Sequence, residues 1–143
     1  VSFSAGDRVT AGRLNRLQPR SYQANATSVL TGPQSGVDVP GLSIPITTET
    51  DNAVYTAVLV ADVDLTGSTT GLASVRLVVD GANASTFALF AAEVATDRAT
   101  AAQTYRGTLG AAGDHVIKAN ATVMSNQQLN QYTSLLVTIS EVV

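Results

Sequence analysis

Catalysis and metal binding both need side chains that converge, and this sequence offers few. His115 is its single histidine. In the alternating stretch DHVIKANATV (114–123) it shares a face with Ile117, Ala119, Ala121 and Val123, next to a GAAG turn. A catalytic base or metal ligand needs partners on its own side. Asp114 points to the opposite face, so His115 reads as a structural histidine. Asp62 and Asp64 lie on one strand face, about 6.6 Å apart at two residues' spacing. That separation suits a carboxylate pair or two calcium ligands, and the plainer reading is a strand leaving the core for solvent. Asp80-Gly81-Ala82-Asn83 begins like a calcium loop, lacks the later acidic ligands, and reads as a hairpin turn. The polar stretch SNQQLNQY (125–132) reads as a loop. Its amides suit sugar hydroxyls, and Asn130 with the stacking ring of Tyr132 makes it a possible glycan loop, against the simpler reading of a solvated tip.

The absence of cysteine excludes thiol catalysis, disulfides and cysteine-ligated zinc. There is also no tryptophan to serve as a sugar platform for a glycan-cleaving enzyme. The expectation is a non-enzymatic chain with no cofactor and no metal, which acts by binding. The sequons at Asn25, Asn83 and Asn120 are expected to stay unmodified.

Positive charge is concentrated. Four of the eight Lys and Arg residues, Arg8, Arg13, Arg16 and Arg20, fall within the first twenty positions beside one acid, Asp7. That segment carries +3 and the rest −6, within an overall −3. A basic arm on an acidic body docks on an acidic surface, including a second copy of itself. Nucleic acid is the weaker partner, because the body repels phosphate and no aromatic residue lies between the arginines. Thr10 is placed as an N-cap, with Val9 and Leu14 as a hydrophobic staple. Ala11, Leu14 and Leu17 then share one helical face, and Arg13, Arg16 and Arg20 another. Pro19 ends the helix. Two turns alone are marginal in water, so this arm needs a surface to lie on.

The positioning elements beyond it are strands. AVYTAVLVADVDL (53–65) is the strongest. Tyr55, Ala57, Leu59, Ala61, Val63 and Leu65 form one face; Val54, Val58 and Val60 make the other face apolar too. A half-buried strand is polar on one side. Two apolar faces predict a sandwich partner on one side and a subunit or the arm on the other, which makes Val54, Val58 and Val60 a candidate oligomer face. Gly36 to Ile46 alternates but is broken by Pro40, Gly41 and Pro45, as in an edge strand or loop. Further strands are expected at LASVRLVV, FALFAAEV, 104–109, 114–123 and TSLLVTISEVV. About eight strands with turns every 8–12 residues predict an all-β jelly-roll β-sandwich, residues 21–143, behind an arm of residues 1–20. No run is apolar for long enough to span a bilayer, and the start at Val1 lacks a signal-peptide core and fits removal of an initiator Met.

AGDRVTAGRLNRL resembles the opening of many bacteriophage tail, fibre and head-decoration proteins. VRLVVDGAN, and YRGTLGAAGDHVIKANATV with the final SLLVTISEV, resemble strands of jelly rolls related to the C1q and tumour-necrosis-factor domains. The resemblance implies a homotrimeric virion component whose N-terminal segment holds the particle while the jelly roll faces out. Those domains pack their threefold axis with aromatics; a seam here would be built from Val, Leu and Ala. The expected protein is a trimeric capsid decoration protein, assembled in the host bacterial cytoplasm and resident in the virion. Its expected partners are itself and major capsid or tail proteins. The alternatives are a minor tail or fibre protein, or a receptor- or glycan-binding module.

Overall fold

The computed structural model describes residues 10–68, 71–92 and 94–141. The arm helix forms as α1, Ala11–Leu17. Thr10 caps it: its Oγ1 accepts the Arg13 N–H at 3.3 Å, and its carbonyl accepts the Leu14 N–H at 3.0 Å. The chain turns extended at Gln18, ahead of Pro19, as proline's exclusion of the preceding residue from helix requires. Arg8 and the Val9 half of the expected staple lie outside the described residues.

The strands are β1 (Arg20–Asn25), β2 (Leu30–Thr31), β3 (Gln34–Thr48), β4 (Val54–Leu65), β5 (Gly71–Val79), β6 (Ala82–Asn83), β7 (Ala88–Ala92), β8 (Arg98–Thr108), β9 (Gly113–Val123), β10 (Gln127–Leu129) and β11 (Ser134–Ser140). Eight are long; β2, β6 and β10 are two- or three-residue pieces. The long strands pair in a nested order, all antiparallel: β1 with β11, β3 with β9, β4 with β8, and β5 with β7. Nested pairs wrapped over one core are a jelly roll. Contacts β11–β4 and β9–β5 complete the two sheets, β1-β11-β4-β8 and β3-β9-β5-β7. Short β10 and β2 extend the first sheet past the end of β11.

The core lies between the sheets. Ala57, Leu59, Ala61 and Val63 of β4 and Leu135, Val137 and Ile139 of β11 face Ala73, Val75 and Leu77 of β5 and Ile117, Ala119 and Ala121 of β9. Each strand buries alternate residues, as period-two side chains demand. Tyr55 joins this face, half-buried, opposite Gly107, where a Cβ would come within 2.6 Å of the Tyr55 hydroxyl.

Three expectations need adjustment, and one of two open readings, edge strand or loop at 36–46, is decided for the strand. Arg20 is the first residue of β1, opposite Ile139, so the body starts within the segment assigned to the arm. The broken stretch 36–46 is one long edge strand. It keeps pairing with β9 through a register shift between Asp38 and Ser43, where Gly41 at φ +85° makes the bend beside Pro40. β8 begins at Arg98 rather than Thr104, because its alternating Ala and Thr residues carry too little hydrophobic contrast to announce a strand. The polar stretch 125–132 contains β10, in which Gln127 is fully buried. The Gln127 amide accepts the Met124 N–H at 2.8 Å and donates to the Gly71 carbonyl at 3.4 Å, so a polar side chain fills a core position.

Candidate functional site

Three groups of side chains stand out on this frame. The first is the outer face of the first sheet. Val54, Val58 and Val60 alternate with the core residues of β4 and point outward. Register sets Val58 directly opposite Leu136 of β11 on one side and Thr104 of β8 on the other. Val58 is 37% and Leu136 43% exposed, in the middle of the sheet rather than at its rim. Half-buried Val60 and exposed Ala102 extend the patch, and Val54 continues it. Exposed Thr56 and half-buried Thr138 lie opposite each other within it. The two apolar faces read from the sequence are present, but α1 does not cover the outer one.

Instead α1 sits at the end of the sandwich. Arg16 reaches Glu49 at 3.6 Å, beyond the end of β3. Arg20 pairs with Glu141 and donates to the Thr47 carbonyl at 3.0 Å. Glu141 is buried and also accepts the N–H groups of Glu49 at 2.9 Å and Thr50 at 3.0 Å. One carboxylate thus ties β1, the β3–β4 turn and the end of β11 together. Two of the arginines expected to grip a partner therefore meet carboxylates of their own chain. Arg13 is half-buried and engaged. Leu17 is half-buried, and Leu14, on the same face, is 52% exposed.

The second group lies at the far end of β4. Asp62 does not run out into solvent; it is buried and ion-paired. Arg98, cross-strand from Asp64, turns to Asp62 with two bonds, Nε–Oδ1 at 3.2 Å and Nη2–Oδ2 at 2.7 Å. This fork geometry is the strong form of the pair. The hydrogen bonds that Arg98 donates to Asp62, and the charge of Asp62, with Asp64 and Tyr132 adding to them, push the guanidinium above its ordinary range. The Tyr132 ring lies 5.5 Å from the Arg98 guanidinium carbon. Gln128 Nε2 donates to Asn130 Oδ1 at 3.1 Å and to Asp64 Oδ2 at 3.4 Å. Asn130 and Tyr132, read as neighbours in one loop, are thus joined by Asp62, Asp64, Arg98 and Gln128. Arg98 was not legible as a member, since only the β4–β8 register brings it there; Gln128, one of the loop's amides, reaches Asp64 through the β4–β10 register. Among the described residues no three His, Asp or Glu side chains converge as a metal site.

The third group is His115. It is buried on the core face, as expected, but it has a partner. Asp80, in the β5–β6 turn at φ +49°, brings Oδ2 to 2.7 Å from Nδ1, and the Ala111 carbonyl lies 2.9 Å from Nε2. The hydrogen bond to Asp80 raises the imidazole above its ordinary 6.5, against burial, with Ala111 and nearby carboxylates assisting. Burial opposes ionisation of Asp80, but hydrogen bonds from His115 and the Val116 N–H hold it below 3.8. The pair, with the Val116 N–H on Asp80 and the Ala111 carbonyl on His115, links the β5–β6 turn to β9 and the loop before it.

No protein-family model matches the sequence, and no curated protein matches it. Among solved structures, murine APRIL is similar over 87% of this chain and 100% of its own, with TM-score 0.53 and 10% identity. Dimeric latent PorU from Porphyromonas gingivalis is similar with TM-score 0.51 and 12% identity. That match covers 86% of this chain, which spans only 13% of the PorU chain. At such identities the likeness is one of fold, and it agrees with the nested strand order.

Proposed function

We propose that this chain is a structural subunit on the surface of a bacteriophage particle. It acts by binding rather than catalysis, self-associates as a trimer through the outer face of the first sheet, and is held to capsid proteins by its N-terminal arm. The reading rests on Val58 and Leu136, opposed and exposed at the centre of that sheet. A central patch of Val, Leu and Ala set among threonines, with Arg106 opposite Thr56, has the charge-depleted character of an interface core. The phage assignment is supported by the resemblance of the AGDRVTAGRLNRL segment. The exposed Leu14, on a helix tethered to the body through Arg16, suits an arm that keeps one contact free for a scaffold. A tail or fibre address would use the same seam and arm.

Native mass measured at micromolar concentration, with and without residues 1–18, tests this division of labour. A trimer in both forms supports a self-assembling body with a separate anchoring arm. A trimer lost with the arm makes α1 an intersubunit clasp, and a monomer in both forms rejects the assembly.

A further inference from the structure

We infer that the cluster at the end of β4, beyond the centre of the proposed seam, is a binding site for a neutral saccharide. Four observations carry it.

Tyr132 is 77% exposed on a loop that is rigid from below. The Asn130 N–H donates to the Asp62 carbonyl at 2.8 Å, the Thr133 N–H to the Asn130 carbonyl at 3.1 Å, and the Ala26 N–H to the Thr133 carbonyl at 2.9 Å. The Thr133 hydroxyl, itself buried, accepts the Asp62 N–H at 3.1 Å. A large aromatic held out to solvent on a fixed base is a ready stacking platform. The Arg98 guanidinium, locked by Asp62, backs the ring and leaves the rest of it open.

Beside the ring, Asn130 is only 8% exposed, yet its Nδ2 has no hydrogen-bond partner among the described residues. A buried amide donor left unspent is destabilising, so the polar network is incomplete as it stands. Gln128 links Asn130 to Asp64 through long bonds, and the Asp64 carboxylate is half-buried. Amide donors, a carboxylate acceptor and an aromatic face together match a sugar's hydroxyls and its apolar C–H face.

The charge selects among sugars. Asp62 and Asp64 against Arg98 leave a net −1, and Arg98 already gives two of its N–H groups to Asp62. An anionic glycan or a phosphate polymer meets repulsion here and no free arginine fork. The occupant is therefore a neutral, hydroxyl-rich sugar.

The site adjoins the seam along the same strand: Asp62 lies two residues from Val60, about 7 Å at strand rise, while Asp64 lies six residues from Val58, about 20 Å.

The test uses the full chain on an array of neutral and acidic glycans, with hits remeasured by calorimetry against variants. Retention of neutral glycans is expected. Tyr132→Ala should weaken the hit roughly tenfold, as loss of one stacked ring would. Tyr132→Phe should preserve binding, and both variants should melt at the wild-type temperature because the side chain is solvent-facing. Asp64→Asn should weaken neutral hits without creating acidic ones. The proposal is overturned if no glycan is retained, if only acidic glycans are retained, or if Tyr132→Ala leaves neutral binding intact.

Discussion

His115 lies between two acceptors, Asp80 Oδ2 at 2.7 Å and the Ala111 carbonyl at 2.9 Å. A neutral imidazole has one N–H and satisfies one of them; only the imidazolium satisfies both. Folding therefore favours the protonated ring. The pair ties the β5–β6 turn to the β8–β9 loop at one end of the second sheet. Because the folded-state pKa of His115 is raised, its contribution is complete below 6.5 and is lost as pH climbs through the raised value. Asp80 has the opposite sign: its contribution is present above 3.8 and is lost as pH falls through the depressed value. Wild type should melt at a higher temperature near pH 6 than near pH 9, and His115→Ala should flatten that difference. An unchanged pH slope in the variant would remove the link.

Glu141 makes a second prediction. Replacing it with Ala leaves Arg20 only the Thr47 carbonyl and orphans the N–H groups of Glu49 and Thr50. Hydrogen bonds to a charged group contribute about 1.5–3 kcal/mol, and Arg20 is partly open to water, so a loss of about 2 kcal/mol is expected. Chemical denaturation should show the midpoint fall with an unchanged slope. Proteolysis should also cut the arm faster, since the residue that receives Arg20 is gone.

The bend in β3 gives a third. Gly41 has φ +85°, and a Cβ there would lie 2.6 Å from the Asn25 carbonyl oxygen. Gly41→Ala should cost about 2–4 kcal/mol, the sum of a left-handed backbone penalty and an overpacked contact. Gly36 shares a positive φ, +61°, with open space around it. Gly36→Ala should cost only about 1 kcal/mol. Equal losses in thermal unfolding would mean the close approach to Asn25 does not matter.

Local patterns in the sequence carried the elements well. The Thr10 cap, the Pro19 stop, the two faces of β4 and the Asp80-Gly81 turn all follow from near-neighbour chemistry, and the structure has each of them. What needed coordinates was register. Arg98 meets Asp62 only because β8 pairs β4 along its whole length. Asp80 meets His115 only because β5 lies beside β9, and Glu141 meets Arg20 only because β11 lies beside β1. Asp62 accordingly read as a residue on its way to solvent, when its partner lies on a strand 36 residues away. The alternating Ala and Thr of β8 and the amides of β10 hid strands, because neither stretch has an apolar face that stands out against a polar one.

The central claim is that the outer face around Val58 and Leu136 is a self-association seam. Sedimentation equilibrium of wild type beside Val58→Asp and Leu136→Asp tests it most directly. Both positions are solvent-facing within one subunit, so each variant should keep its fold by circular dichroism. Wild type is expected at three times the chain mass and both variants at or near one, since a buried unpaired carboxylate is strongly disfavoured. A wild-type monomer, or variants that assemble as wild type does, would contradict the account.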